Sequence, residues 1–218
     1  MLADLFARAA RGEYPPADGS VRVVPPEPDA LSAVIAFSAH HVIVTEADPD
    51  WVASVLPADD LSAPLNPPFL TELCAKTGRV VNNIDQVLVA DRLDGHPDLD
   101  LAPVAESMLD PASGSSVSEH ERAVCAYGLR TDVRVWTCPG GMVLIGRGLG
   151  GRWEVAAEVD EGARVRGLGR ALFTAARTLV PPGEPVWAQV APGNAASARA
   201  VLAAGYRPVG AEALLLRG

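Results

Sequence analysis

Three arginines and two glycines fall within seven residues, Arg164-Val165-Arg166-Gly167-Leu168-Gly169-Arg170. The apolar run Trp153 to Val159 before them reads as a buried strand. After them, Leu168, Leu172, Phe173, Ala176 and Leu179 keep helical spacing to about Val180. A strand, a polar loop and a helix in that order aim loop N–H groups and a helix dipole at one point. Such a point holds an anion, most often a pyrophosphate. Arg164, Arg166 and Arg170 ring it with positive charge. The plainer alternative is that these arginines only solvate a helix face.

The charge distribution favours a local anion site. The net charge is −9, against a general nucleic-acid binder. Residues 1–131 carry 20 Asp and Glu against 8 Lys and Arg, whereas residues 132–218 carry 7 against 10. The arginine loop thus sits in the basic section of an acidic chain. No apolar run approaches the roughly 18 residues of a membrane span. The first residues lack the charged leader and long apolar stretch of a signal peptide. Cys74, Cys125 and Cys138 are scattered and odd in number, which suits reduced thiols and a cytoplasmic location. His40, His41, His96 and His120 show no metal-ligand spacing, so no metal is expected.

The elements around the loop are legible from Asp132 onward. Val133–Thr137, the turn Pro139-Gly140-Gly141 and Met142–Ile145 predict a hairpin. Trp153–Val159 is the third strand, and Pro181-Pro182-Gly183 ends the helix after the loop. Val186–Val190 predicts a strand, Ala195–Ala204 a second helix closed by Gly205, and Tyr206–Leu216 one strand or two. These elements predict an α/β (α+β) fold, with a mixed central sheet and helices on its faces. In the first half, Ile84–Ala90 and His41–Thr45 read as strands. Asp29–Phe37, Asp48–Leu56, Pro67–Lys76 and Ser118–Leu129 read as helices, the last with a capping box from Ser118 to Glu121. Asp110–Ser118 reads as an exposed loop, and residues 12–28, with five prolines, as extended chain.

Two motifs carry a resemblance. Arg164-Val-Arg-Gly167-Leu-Gly169 follows a strand ending Val159-Asp-Glu161, and Asn194-Ala-Ala-Ser197-Ala-Arg199 precedes Gly205-Tyr206. Together they resemble the GNAT superfamily of acyl-CoA-dependent N-acyltransferases over residues 152–210, and the strand pattern extends the likeness back to about Ile84. A dinucleotide fold would need a third glycine and an acid about 20 residues on. Arg170 follows Gly169, and Gln189 or Val190 holds the distant position. The resemblance implies a mostly antiparallel sheet in a domain over 84–218, with 1–83 as an N-terminal extension. It implies acetyl-CoA as cosubstrate, held by Val159, Arg164, Val165, Arg166, Gly167, Leu168, Gly169 and Arg170, with Asn194 and Ser197 near the pantetheine. In the family the strand before the loop splays from its neighbour, so its free edge pairs with the pantetheine arm. Gly167 and Gly169 would let phosphate approach the backbone. For Asn194 a plain helix N-cap is the alternative.

Acyl transfer to an amine needs a base, an oxyanion donor and an acid for the leaving thiolate. Glu154 and Glu158 are the acids on the strand before the loop and share a face if that strand is regular. Both are candidate bases, Glu154 ranked first. Family members often carry a bulge here, which would break that parity, and a solvated or ion-paired role is the alternative for each. The tyrosine that many relatives use as the acid is replaced by Val201, and Tyr206 reads as core. The expected function is therefore acetyl-CoA-dependent N-acetylation of a small-molecule or peptide amine, with no nucleic acid or membrane partner and a homodimer allowed. The acidic first half favours a cationic acceptor. The alternative is a non-catalytic acyl-CoA-binding module.

Overall fold

The computed structural model describes residues 1–26, 31–57, 60–105 and 128–218. Ten strands form one mixed sheet: β1 (Val21–Val24), β2 (Ser32–Phe37), β3 (His40–Val44), β4 (Arg79–Ala90), β5 (Ala102–Pro103), β6 (Thr131–Cys138), β7 (Gly141–Arg147), β8 (Trp153–Val159), β9 (Val186–Val190) and β10 (Arg207–Arg217). Their order is β1-β3-β2-β10-β4-β9-β8-β7-β6-β5. Among the described residues only β1–β3 and β8–β9 pair in parallel. The helices are α1 (Leu2–Ala10), α2 (Pro49–Val55), α3 (Pro67–Thr77), α4 (Leu168–Leu179) and α5 (Ala195–Ala203).

Both faces of the sheet are covered. Helices α4 and α5 bury Leu172, Phe173 and Val201 against Leu88, Val143, Ile145 and Val155. Helix α1 covers the opposite face with Phe6, which packs among Val87, Val89 and Trp187. Helices α2 and α3 set Val52, Leu70 and Leu73 against Val34, Ile43 and Leu215. Helix α3 begins with proline in its first turn and stops at Gly78, whose φ of 66° supplies the left-handed cap.

From Thr131 onward the elements match the expected ones closely, with Tyr206–Leu216 resolving into the single strand β10. In the first half one element changes type. Asp29–Phe37, expected as a helix, contains strand β2. Its side chains are buried on both faces, Ala33, Ile35 and Phe37 in the cluster under α1 and Val34 in the cluster under α2 and α3. A continuous apolar run of that kind has no period-2 signal, so spacing cannot separate it from a helix. Strand β4 begins five residues before the expected Ile84, and the expected boundary at 83/84 falls inside it. Residues 21–24 of the proline-rich segment form β1. Helix α1 is an element the sequence reading omits, although Leu2, Leu5, Phe6 and Ala9 keep its spacing. The expected loop at Asp110–Ser118 and most of the helix at Ser118–Leu129 lie outside the described residues.

Helix α1 is held mainly through one side chain. The Phe6 ring meets Trp187 edge-on at 5.2 Å and lies 4.4 Å beneath the Arg152 guanidinium. Removing a buried aromatic ring costs about 3–5 kcal/mol. Phe6→Ala should therefore lower the urea midpoint markedly. An unchanged midpoint would show that α1 contributes nothing to the folded core.

Candidate functional site

Strands β8 and β9 part company inside the sheet. They pair through Trp153/Val186, Glu154/Trp187 and Val155/Ala188 and no further, although β8 runs on to Val159 and β9 to Val190. On its other side β8 stays in unbroken register with β7, from Arg147/Trp153 to Gly141/Val159. Among the described residues no strand pairs with the β9-facing edge of Ala156–Val159. Exposed edges of this kind accept an extended partner. The unbroken register also places Glu154, Ala156 and Glu158 on one face, without a bulge.

The gap opens onto a cavity of about 720 Å³ between the end of β8, the start of α4 and the start of α5. Of the residues expected to hold a cofactor, Val159, Arg164, Val165, Gly167, Leu168, Gly169, Arg170, Asn194 and Ser197 line it together. Arg166 is exposed on the same loop and lies outside the lining. Arg199, part of the second motif but not singled out as a contact, adds a third guanidinium to the wall. Its place five residues after the N-cap Asn194, in the second motif, is the available signal.

Local backbone shapes this wall. Gly167 caps α4 with a φ of 85°, a conformation open to glycine and costly for other residues. Val165 holds a φ of 63° while fully exposed. A β-branched residue there stores strain of about 1–3 kcal/mol. A Cβ on Gly169 would lie 3.5 Å from the Ala200 methyl, an ordinary contact, so the protein itself leaves room there. The Asn194 side chain accepts a hydrogen bond from the Ser197 amide at 3.0 Å and caps α5 while lining the cavity. Val201 is fully buried in the core. Tyr206 is also buried and donates its hydroxyl to the Phe173 carbonyl at 3.1 Å.

On the α1 side of the sheet, the ionisable groups form one network. Arg152 donates through Nε to Glu154 at 2.8 Å and through Nη2 to both Glu212 oxygens at 2.6 and 2.8 Å. Arg130 donates to the second Glu154 oxygen at 2.9 Å. Burial alone would raise the Glu154 pKa, but Arg152 and Arg130 outweigh it and hold the carboxyl below its usual range. A Cβ on Gly148 would sit 2.2 Å from the Glu154 carboxyl carbon, so only glycine leaves space for this carboxylate. Glu154 is thus in place to hold charge inside the sheet, while Glu158 lines the cavity.

Asp85 is the third carboxyl of the group and was not singled out in the sequence. It faces Glu212 across the β4–β10 pairing and accepts a hydrogen bond from the Asn83 side chain at 2.8 Å. Burial, then the charges of Glu212 and Glu154, push its pKa up to about 6. Two guanidinium groups already balance two carboxylates, which leaves Asp85 as the odd one. No sequence spacing joins residues 85, 154 and 212, because only the pairing of β10 with β4 and the Arg152 bridge bring them together. Among the described residues no group of His, Cys, Asp and Glu is arranged to hold a metal. No described helix is long and apolar enough to cross a membrane.

No family model matches the chain, and no curated protein is similar to it in sequence. Its neighbours among solved structures include GCN5-related N-acetyltransferases. One, from Kribbella flavida, is 18% identical, with a TM-score of 0.45 over 68% of this chain and 63% of that one. The matched part is therefore less than two thirds of the Kribbella chain. Another, from Sphaerobacter thermophilus, is 14% identical, with a TM-score of 0.43 over 87% of this chain and 60% of that one. A tandem GNAT protein from the clavulanic acid biosynthesis pathway is 16% identical, with a TM-score of 0.42 over 86% and 65%. At these scores the likeness carries no functional weight.

The Asp85 environment has a measurable consequence. Its folded pKa of about 6 lies above the ordinary 3.8, so between these values the folded state binds more protons than the unfolded one. Its contribution to stability is full below about pH 4 and is lost as pH rises through 6. Asp85→Asn should therefore unfold at higher temperature than wild type at pH 8, with the gap closing towards pH 4. A gap independent of pH would contradict the placement.

Proposed function

We propose that the chain is an acyl-CoA-dependent N-acyltransferase that uses acetyl-CoA and a primary amine acceptor. One observation carries the reading: the free β8 edge beyond Val155 leads into an arginine-lined cavity at the N-terminus of α4. An extended pantetheine arm suits an unpaired strand edge, because its amides can complete the missing ladder. A pyrophosphate suits the other end, where the first turn of α4 offers unpaired N–H groups. Arg164, Arg170 and Arg199 supply charge on the cavity wall, and Arg166 adds to it from the loop. Val159, Val165, Gly167, Leu168 and Gly169 then act through backbone, and Asn194 and Ser197 meet the distal arm.

Residues 1–131 carry the acidic excess, which attracts a cationic amine. Of the two expected bases, Glu154 has both oxygens committed to arginines, an arrangement that favours a structural charge over a proton carrier. Glu158 lies at the cavity end of the same strand.

A second reading, a non-catalytic acyl-CoA-binding module, is favoured by one feature. Val201 stands in the core where relatives often carry the acid, and the Tyr206 hydroxyl is committed to Phe173. Acetyl transfer across a panel of primary amines separates the two readings, since tight CoA binding without turnover on any amine supports the module.

Gly169 gives the cleanest test of the cofactor end, because alanine there clashes with nothing and helix propensity favours it. Gly169→Ala should keep wild-type thermal stability and weaken acetyl-CoA about tenfold or more in calorimetry. Arg170→Ala should weaken it to a similar extent, with a shallower salt dependence, because a charge-assisted contact is worth roughly 1.5–3 kcal/mol. Unchanged affinity in both variants would overturn the assignment.

A further inference from the structure

We infer that Asp85 receives the acceptor's primary ammonium and removes its proton. The inference rests on the acyltransferase reading above and names a residue outside the strand that precedes the phosphate loop.

Position comes first. The last β4–β9 pairs are Val87/Gln189 and Gln86/Val190, so Asp85 lies one residue past the end of that ladder. Gln189 directly follows Ala188, the last β9 residue paired with β8, and thus stands at the mouth of the gap. By strand alternation Asp85, Val87, Gln189 and Glu154 point to one face, the face of α1. With strands about 4.8 Å apart and a rise of about 3.3 Å per residue, the Cα atoms of Asp85 and Gln189 are about 8 Å apart. That distance puts the Asp85 carboxyl and the Gln189 carboxamide side by side on one face, at the end of the gap between β8 and β9.

A second observation points to a ligand at the same place. Both polar atoms of the Gln189 side chain are buried, and among the described residues neither has a hydrogen-bond partner. The carboxamide thus offers an unmet donor and an unmet acceptor at the mouth of the gap, and leaving both unmet is costly.

Chemistry then selects among the carboxyls. Glu154 and Glu212 are each held by guanidinium groups. Asp85 receives only the neutral Asn83 amide, although Arg152 and Arg130 lie beyond its two acidic neighbours. Facing Glu212 on β10 and Glu154 on β8, it is the carboxylate that gains most from an arriving cation. One ammonium proton passes to Asp85, and the neutral nitrogen attacks the thioester carbonyl. The N–C bond forms and the C–S bond breaks. A second nitrogen proton goes to the thiolate, giving amide and free thiol, and Asp85 returns its proton to solvent.

Calorimetry of the wild type with CoA is the first step. Absence of binding there would overturn the acyltransferase reading and this assignment with it. On the CoA complex, the Asp85 carboxyl carbon is then titrated by ¹³C NMR, without and with saturating 1,4-diaminobutane. The diamine should lower the midpoint by about one pH unit, as expected of a cation beside a carboxylate. CoA binding with an Asp85 midpoint that the diamine leaves unmoved overturns the assignment alone. Asp85→Asn should bind CoA like wild type, transfer acetyl to the diamine about a hundredfold more slowly, and lose the ascending limb of the pH–rate profile. Asp85→Glu should recover part of both. Wild-type turnover by Asp85→Asn would equally overturn the assignment.

Discussion

The bridge from Arg152 to Glu154 and Glu212 is the interaction on which the rest of the structure depends. It joins β8 to β10 across the two strands between them, and so fixes one face of the sheet at its centre. Its charges are almost wholly out of water, with Arg152 at 5%, Glu154 at 3% and Glu212 at 0% exposure. Removing one partner from such a group typically costs about 3–5 kcal/mol, because the other charge is left buried and unpaired. Phe6 of α1 and Trp187 of β9 lie against the Arg152 guanidinium and close it off from solvent. The first helix of the chain is thus packed, through Phe6, on a residue 146 positions away.

The same network divides the molecule into two working ends. On the α4 side Arg164, Arg170 and Arg199 give the cavity wall three cations against the one carboxylate of Glu158, which suits a polyanion. On the α1 side the buried network sets three carboxyls, Asp85, Glu154 and Glu212, against the guanidinium groups of Arg152 and Arg130, an excess that suits an amine. The gap between β8 and β9 connects the two sides, since β9 leaves β8 after Ala188. A cosubstrate threaded through the gap would carry its acyl group from the basic side to the acidic one. In the proposed reaction the sheet would separate two ligands of opposite charge and let them meet at one opening.

The cofactor end was largely legible in the sequence because its signal is local. Arg164 to Arg170 are contiguous, the strand and helix beside them have clear periods, and Asn194 with Ser197 lies one strand and one turn further on. The carboxyl cluster proposed to receive the acceptor is not legible in the sequence, because it is assembled from distant segments. Asp85 sits on β4, Glu154 on β8 and Glu212 on β10, and no spacing records their meeting. Glu154 looked like a candidate base for the same reason, as its arginine partners are invisible until the strands pair. In the first half, β2 was read as helix because burial on both faces erased its alternation. Strand β4 was read short because Val80, Val81 and Asn82 are exposed and carry no apolar run.

The central claim is that the free edge of β8 and the loop before α4 hold the two ends of one acyl-CoA molecule. Residue-resolved amide hydrogen exchange, with and without acetyl-CoA, tests it most directly. The account predicts that acetyl-CoA slows exchange in two separate stretches at once, within Ala156–Val159 and within Arg166–Arg170. The β6–β7 hairpin and α3 should be unaffected. Protection of the loop without the strand edge, or of neither, would contradict it.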